Sequence, residues 1–237
     1  MNNLSQNITQ SGEHNVTFPV EGAELGTGYL SPVNQTSQFG IVLLQEWWGM
    51  NKSITITADT FAKQGFRVIC PDLYRGKVAI DHESAGHLMS GLQWENGLKD
   101  VQGAMNHLKS LGCTHVGITG FCMGGALTIA SVASLPGFSA AAPFYGIPDL
   151  KTYSPNNIKV PVLAHFGELD SLKGFSDKEA ALNLEKEMNA AGVNFKLMIW
   201  QGANHAFMNQ DSVNYLADTA NQALEITCQF FKTNFNN

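Results

Sequence analysis

Three residues of this chain, by type a nucleophile, an acid and a base, each stand just past a strand-like run. The first is Cys122, in Val116-Gly117-Ile118-Thr119-Gly120-Phe121-Cys122-Met123-Gly124-Gly125. That segment reads strand, sharp turn, helix, and its core is Gly-x-Cys-x-Gly, a nucleophile elbow with cysteine in the serine position. The residue at such a tip is strained, and its neighbours must lack a Cβ for the helix to pack against the strand. The thiol then sits at a helix N-terminus, where the dipole favours thiolate. A glycine-rich turn around an inert cysteine would share part of this pattern. The phosphate-loop patterns are absent.

An elbow of this kind orders its partners as nucleophile, acid, base. Downstream, the run Val160–Phe166 ends in Gly167-Glu168-Leu169-Asp170, and Phe195–Trp200 ends in Gln201-Gly202-Ala203-Asn204-His205. His205 is therefore the expected base for the Cys122 proton, and Asp170 the group that fixes its tautomer. His165 is a rival base, but it lies inside a strand run and reads as a core histidine. Glu168 and Asp149 are weaker rivals for the acid.

The elements that must hold these residues alternate along the chain. Further strand-length apolar runs lie at Phe39–Leu44, Phe66–Cys70, His115–Thr119 and Ala140–Tyr145. Continuous runs of this kind suit strands buried on both faces of a parallel sheet. Helical stretches intervene at Ile54–Gln64, Glu83–Gly91, Leu98–Leu111, Met123–Ser134, Lys178–Ala191 and Val213–Phe231. The pattern implies βαβ units and an α/β fold of the α/β-hydrolase type, with a mostly parallel sheet flanked by helices on both faces. Val16–Val20 and Gly26–Leu30 read as an antiparallel opening ribbon. A single domain over residues 1–237 is expected, with about 1–14 a flexible N-terminus.

In open α/β sheets, sites form beyond the carboxyl ends of the strands. The loop after Phe39–Leu44 is Gln45-Glu46-Trp47-Trp48-Gly49-Met50-Asn51. A second oxyanion-hole amide should come from here, which makes the N–H groups of Trp47 and Met123 the expected pair. A carboxylate at Glu46 could raise the thiol pKa and accept its proton. Arg75 and Lys77, after Phe66–Cys70, are the candidate cations for an anionic substrate, and Trp48 a candidate wall.

The bulk numbers exclude other classes. Of 237 residues, 44% are hydrophobic and 14% charged, with net charge −6 and no basic run, so nucleic acid and anionic membranes gain no electrostatic help. Met1 to Gln10 is polar and does not read as a signal peptide. No stretch approaches the ~20 apolar residues of a membrane span. Cys70, Cys113, Cys122 and Cys228 form no CxxC pair or zinc-type cluster, so no metal or other cofactor is expected, and free thiols in a reducing cytoplasm are. No obligate protein partner is evident.

These residues together resemble the dienelactone hydrolase (carboxymethylenebutenolidase) family, from about Phe39 to beyond His205. The resemblance rests on Gln45-Glu46-Trp47-Trp48-Gly49, Cys70-Pro71-Asp72-Leu73-Tyr74, Gly120-Phe121-Cys122-Met123-Gly124-Gly125, Gly167-Glu168-Leu169-Asp170 and His205-Ala206-Phe207. It implies a Cys-His-Asp hydrolase of enol-lactones, with Glu46 helping to deprotonate the thiol when substrate arrives. The family's arginine four residues after the histidine is Asn209 here. Its second arginine, after Pro-Asp-Leu-Tyr and one more residue, falls on Gly76, with Arg75 one place early. The anion-binding pair is thus absent or rearranged.

The expected activity is opening of a small ester or lactone through an acyl-thioenzyme on Cys122. A thioesterase or broad carboxylesterase is the runner-up. A non-catalytic ligand-binding or thiol-sensing protein on the same scaffold is the alternative from another class.

Overall fold

The computed structural model describes residues 7–236, in two compact units that divide after Thr114. The first unit contains β1 (Ile8–Gln10), β2 (Val16–Phe18), β3 (Gly26–Leu30), β4 (Phe39–Leu44), α1 (Lys52–Lys63), β5 (Arg67–Pro71), β6 (Lys77–Ala79), α2 (His82–Gly91) and α3 (Trp94–Ser110). The second contains β7 (His115–Phe121), α4 (Met123–Ser134), β8 (Ala140–Phe144), β9 (Val162–Gly167), α5 (Lys178–Ala190), β10 (Phe195–Trp200) and α6 (Ala217–Phe235).

In the first unit the strands run in the order β4-β5-β3-β2. β4 and β5 are parallel, and β3 and β2 continue antiparallel as the predicted ribbon. Helix α1 packs on β5, and α3 on β4 and β5. In the second unit the order is β10-β9-β8-β7 and the determined pairings are all parallel. Strands β8 and β9 are buried at every residue, as their unbroken apolar runs require. Helix α4 is buried from Met123 to Ala133, because it is apolar all round. It packs on β7 and β8, and Phe144, Phe166 and Phe231 of the same unit are each fully buried.

Strands begin and end within two residues of the predicted runs, whereas α6 starts at Ala217 rather than Val213. Val213 to Leu216 form a turn instead, where Leu216 N–H donates to Phe207 O at 3.1 Å. Their apolar side chains extend the helical periodicity without the helix.

The N-terminus departs from expectation. Residues 1–6 lie outside the described residues, but 7–15 are tied down rather than frayed. β1 pairs antiparallel with β6, Ser11 Oγ donates to Met50 O at 2.7 Å, and His14 Nε2 lies 2.7 Å from Asp72 Oδ2. Polarity misled the sequence reading, since these residues are held by hydrogen bonds and not by apolar burial.

Candidate active site

Cys122 stands between β7 and α4 with φ 54° and ψ −118°, a conformation that costs a non-glycine residue strain. It is held by its neighbours: Cys122 N–H donates to Phe144 O at 3.1 Å, and Cys122 O accepts from Ala126 N at 3.1 Å. Two glycines permit that closeness. A Cβ on Gly125 would lie 2.0 Å from Phe144 O, and one on Gly146 would lie 2.0 Å from Cys122 O. The glycines of the elbow thus clear room for the end of the next strand, β8. Met123 is the first residue of α4. Cys122 is 8% exposed.

The other three thiols stand at no strand-to-helix elbow. Burial pushes Cys70 up, with Asp59 adding to the shift, and burial also pushes Cys113 up and Cys228 up to about 12. Such thiols are poor nucleophiles. No disulfide forms among the described residues.

Asp170 and His205 meet in the loops after β9 and β10. His205 Nδ1 lies 2.7 Å from Asp170 Oδ2, and Asp170 Oδ1 accepts the Leu172 N–H at 3.1 Å. Burial acts to raise the Asp170 carboxyl. The hydrogen bond and charge of His205, the Leu172 amide and the Ser176 hydroxyl outweigh it and hold the carboxyl below its ordinary range. With Asp170 ionised, Nδ1 must carry the proton, which leaves Nε2 as the basic nitrogen. The His205 backbone is fixed as well: its carbonyl accepts from Asn214 Nδ2 at 2.9 Å, and Ala206 takes a left-handed φ of 61°.

The loop after β8 touches both parts. Tyr145, at φ 33°, puts its ring 5.0 Å from that of His205, edge to face, while its chain neighbours Phe144 and Gly146 press on Cys122. Cys122, Tyr145 and Ala206 are the non-glycine residues of positive φ described in this unit, and all three lie at this cluster. Strain concentrated in this way points to a functional site.

The rivals have other work. His165 is fully buried inside β9, and burial, with Lys196 adding, pushes it down to about 3. Glu168 braces two loops, accepting Gly202 N–H at 3.2 Å and pairing with Lys178 at 3.3 Å. Asp149 is exposed and caps a turn through Lys151 N and Thr152 Oγ1. Asn209 likewise serves a turn, its Oδ1 accepting Asp211 N–H at 2.9 Å. Ser176, which sequence reasoning missed, lies with its Oγ 3.1 Å from His205 Nδ1.

The remaining predicted residues belong to the first unit. Glu46 is 7% exposed, in the loop after β4. Trp47 and Trp48 meet edge to face at 5.2 Å, and both rings stand edge-on to His82. Arg75, at φ 55°, pairs with the buried Asp100 at 2.7 Å. Arg75 and Lys77 line a cavity of 410 Å³ together with Leu73, Tyr74, His87 and Asp100. No group of His, Cys, Asp and Glu suited to a metal occurs among the described residues. No described helix is long and apolar enough to cross a membrane.

The sequence model of the dienelactone hydrolase family matches residues 26–235. The chain belongs to the dienelactone hydrolase family. Protein usf of Aquifex pyrophilus is 33% identical over 205 residues, covering 81% of this chain and 87% of that protein. The carboxymethylenebutenolidase of Pseudomonas putida is 27% identical over 202 residues, 80% of this chain and 84% of that one. A crystal structure of a dienelactone hydrolase-like promiscuous phosphotriesterase from metagenomic libraries superposes with a TM-score of 0.79 at 19% identity, covering 96% of this chain and 99% of that one. At that identity the likeness concerns the fold, which is that of the α/β-hydrolases, with mostly parallel strands flanked by helices.

Proposed function

We propose that this hydrolase opens a small ester or enol-lactone through an acyl-thioenzyme on Cys122, with His205 as base and acid and Asp170 as the group that orients it. The observation that carries the reading is the strained thiol at the elbow, linked through the Phe144–Gly146 segment to a 2.7 Å carboxylate–imidazole pair.

The chemistry follows from the groups. His205 Nε2 takes the Cys122 proton and the thiolate attacks the carbonyl carbon. The oxyanion is held by amide N–H groups, for which the Met123 amide at the start of α4 is our candidate. The C–O bond breaks, and His205 returns its proton to the departing oxygen. Water, deprotonated by the same nitrogen, then attacks the thioester, and the acid product leaves as the thiol is regenerated. A thiolate is itself easily expelled from the tetrahedral intermediate, so the leaving group must be good. Enolates and other activated esters meet that condition, which favours them over amides.

The resemblance gives Glu46 a share in deprotonating the thiol, while Trp48, Arg75 and Lys77, placed in loops beyond strand ends, are our candidates for contacts to substrate. The commitment of Arg75 to Asp100 and of Asn209 to a turn supports a preference for neutral over carboxylated substrates. We place the enzyme in a reducing compartment, the cytosol, because its mechanism needs a reduced thiol; fractionation of cells checks this.

The deciding experiment traps the acyl group. After mixing with p-nitrophenyl acetate and quenching, mass spectrometry should find one acetyl on Cys122, iodoacetamide should abolish turnover, and Cys122→Ala should be inactive. Full turnover by Cys122→Ala would end the thioenzyme reading. A comparison of kcat/KM for a neutral enol ester and its carboxylated analogue tests the charge preference. A strong preference for the anion, lost in Arg75→Ala, would overturn it.

A further inference from the structure

The turn between β9 and α5 brings a third polar group to the Asp170–His205 pair. Ser176 is fully buried, a rare state for a serine, which needs partners for its hydroxyl there. Its Oγ lies 3.1 Å from His205 Nδ1, which is itself 2.7 Å from Asp170 Oδ2. The backbone fixes this placement. Leu172 O accepts the amides of Phe175, Ser176 and Asp177 at 3.1, 3.0 and 3.2 Å, which winds the turn tightly, and Asp177 Oδ1 accepts Gly174 N–H at 2.6 Å.

Counting protons assigns the roles. Ionised Asp170 offers acceptors and no donor, so the 2.7 Å contact requires a proton on Nδ1. A protonated Nδ1 cannot accept the hydroxyl proton. The single Ser176 proton is therefore left to Asp170, whose carboxyl the Ser176 hydroxyl helps to hold down, and a Ser176 lone pair receives a share of the Nδ1 proton. The three groups close a small ring of hydrogen bonds, with Asp170 also taking the Leu172 amide. Imidazole χ2 is intrinsically broad. A second acceptor beside Nδ1 narrows the range over which the ring can turn while keeping its proton on that nitrogen.

We propose that Ser176 is a positioning residue of the active site, holding the Asp170 carboxylate and the His205 ring in register so that Nδ1 keeps its proton and Nε2 exchanges protons with the nucleophile. Its kinetic consequence rests on the Cys122 reading above, whereas its effect on His205 does not. A serine that merely fills the turn would, on removal, change stability and leave the tautomer of His205 as it was.

Ser176→Ala is nearly isosteric and should fold. In protein labelled with 15N at histidine, the His205 signals, assigned by their loss in His205→Ala, should show a larger share of the Nε2–H tautomer than in the wild type. The same variant should lose about tenfold in kcat with KM within about twofold, as for loss of one hydrogen bond to a charged group. Ser176→Thr, which keeps the hydroxyl, should restore both. Unaltered His205 15N signals in Ser176→Ala would overturn the proposal whatever happened to the rate. If Cys122→Ala proved fully active, the thioenzyme reading would fall, and the 15N comparison would still decide the role of Ser176.

Discussion

Two histidines of the second unit pack against adjacent residues at the end of β8, yet their environments differ. His165 stacks on Phe144, with ring centres 4.3 Å apart, and His205 meets Tyr145 edge-on at 5.0 Å. For His165 both ring nitrogens are committed to neutral groups. Trp200 Nε1–H donates to Nδ1 at 3.1 Å, so the proton sits on Nε2 and goes to Thr227 Oγ1 at 3.0 Å, whose own proton goes to Ala223 O. For His205 a carboxylate takes the proton of Nδ1. Aromatic neighbours are thus common to both rings. What separates the packing histidine from the proposed base is one ionised carboxylate, and a place in the loops beyond the strands.

The largest effects should come from the reactive side of this comparison. His205→Ala and Cys122→Ala should each lower kcat by about 10³-fold or more, and Asp170→Asn by a comparable factor through the wrong tautomer. Steady-state kinetics on p-nitrophenyl acetate measures this. A folded, inactive His165→Ala beside an active His205→Ala would reverse our assignment.

His165→Gln can keep both hydrogen bonds and should hold kcat within about twofold. Its effect should lie in acid stability. The folded state holds His165 neutral down to about pH 3, while the unfolded chain takes up a proton near the ordinary imidazole value. Between those limits the unfolded state binds more protons. The stability is therefore complete above about pH 6.5 and falls by about 1.4 kcal/mol per pH unit as pH drops towards 3. Tm measured from pH 7 to pH 4 should decline less steeply in His165→Gln than in the wild type. Equal slopes would mean that His165 is not held neutral. The smallest effects are expected at the silent thiols: Cys113→Ala and Cys228→Ala should stay within about twofold of wild-type turnover.

The contrast also marks what the sequence made legible. The elbow at Cys122 and the meeting of Asp170 with His205 were legible because each residue follows a strand-like run in an order that the elbow demands, and the core place of His165 because it lies within such a run. Ser176 gave no such signal. A serine followed by an aspartate just ahead of a helix reads as an ordinary N-terminal cap, and only the winding of the turn carries its hydroxyl to His205. The pairing of Arg75 with Asp100 was hidden for a similar reason, since an aspartate on a helix is read as solvated until the packing buries it. Strands β1 and β6 were missed because each is three residues long and, unlike β2 within Val16–Val20, lies in no longer run of sustained alternation.

That short N-terminal segment bears on how the enzyme can be handled in the laboratory. Trimming the chain at Gly26, where the family match begins, is a natural choice for expression. It would strip away β1 and β2, the Ser11 and His14 anchors, and Phe18, which is 1% exposed. Removing a buried phenylalanine alone typically costs about 3–5 kcal/mol. The shortened protein should therefore melt well below the untrimmed one, and its low yield could be mistaken for a poor host or a toxic product. The smallest fragment that keeps these anchors starts before Gly26, earlier than the family match alone would suggest.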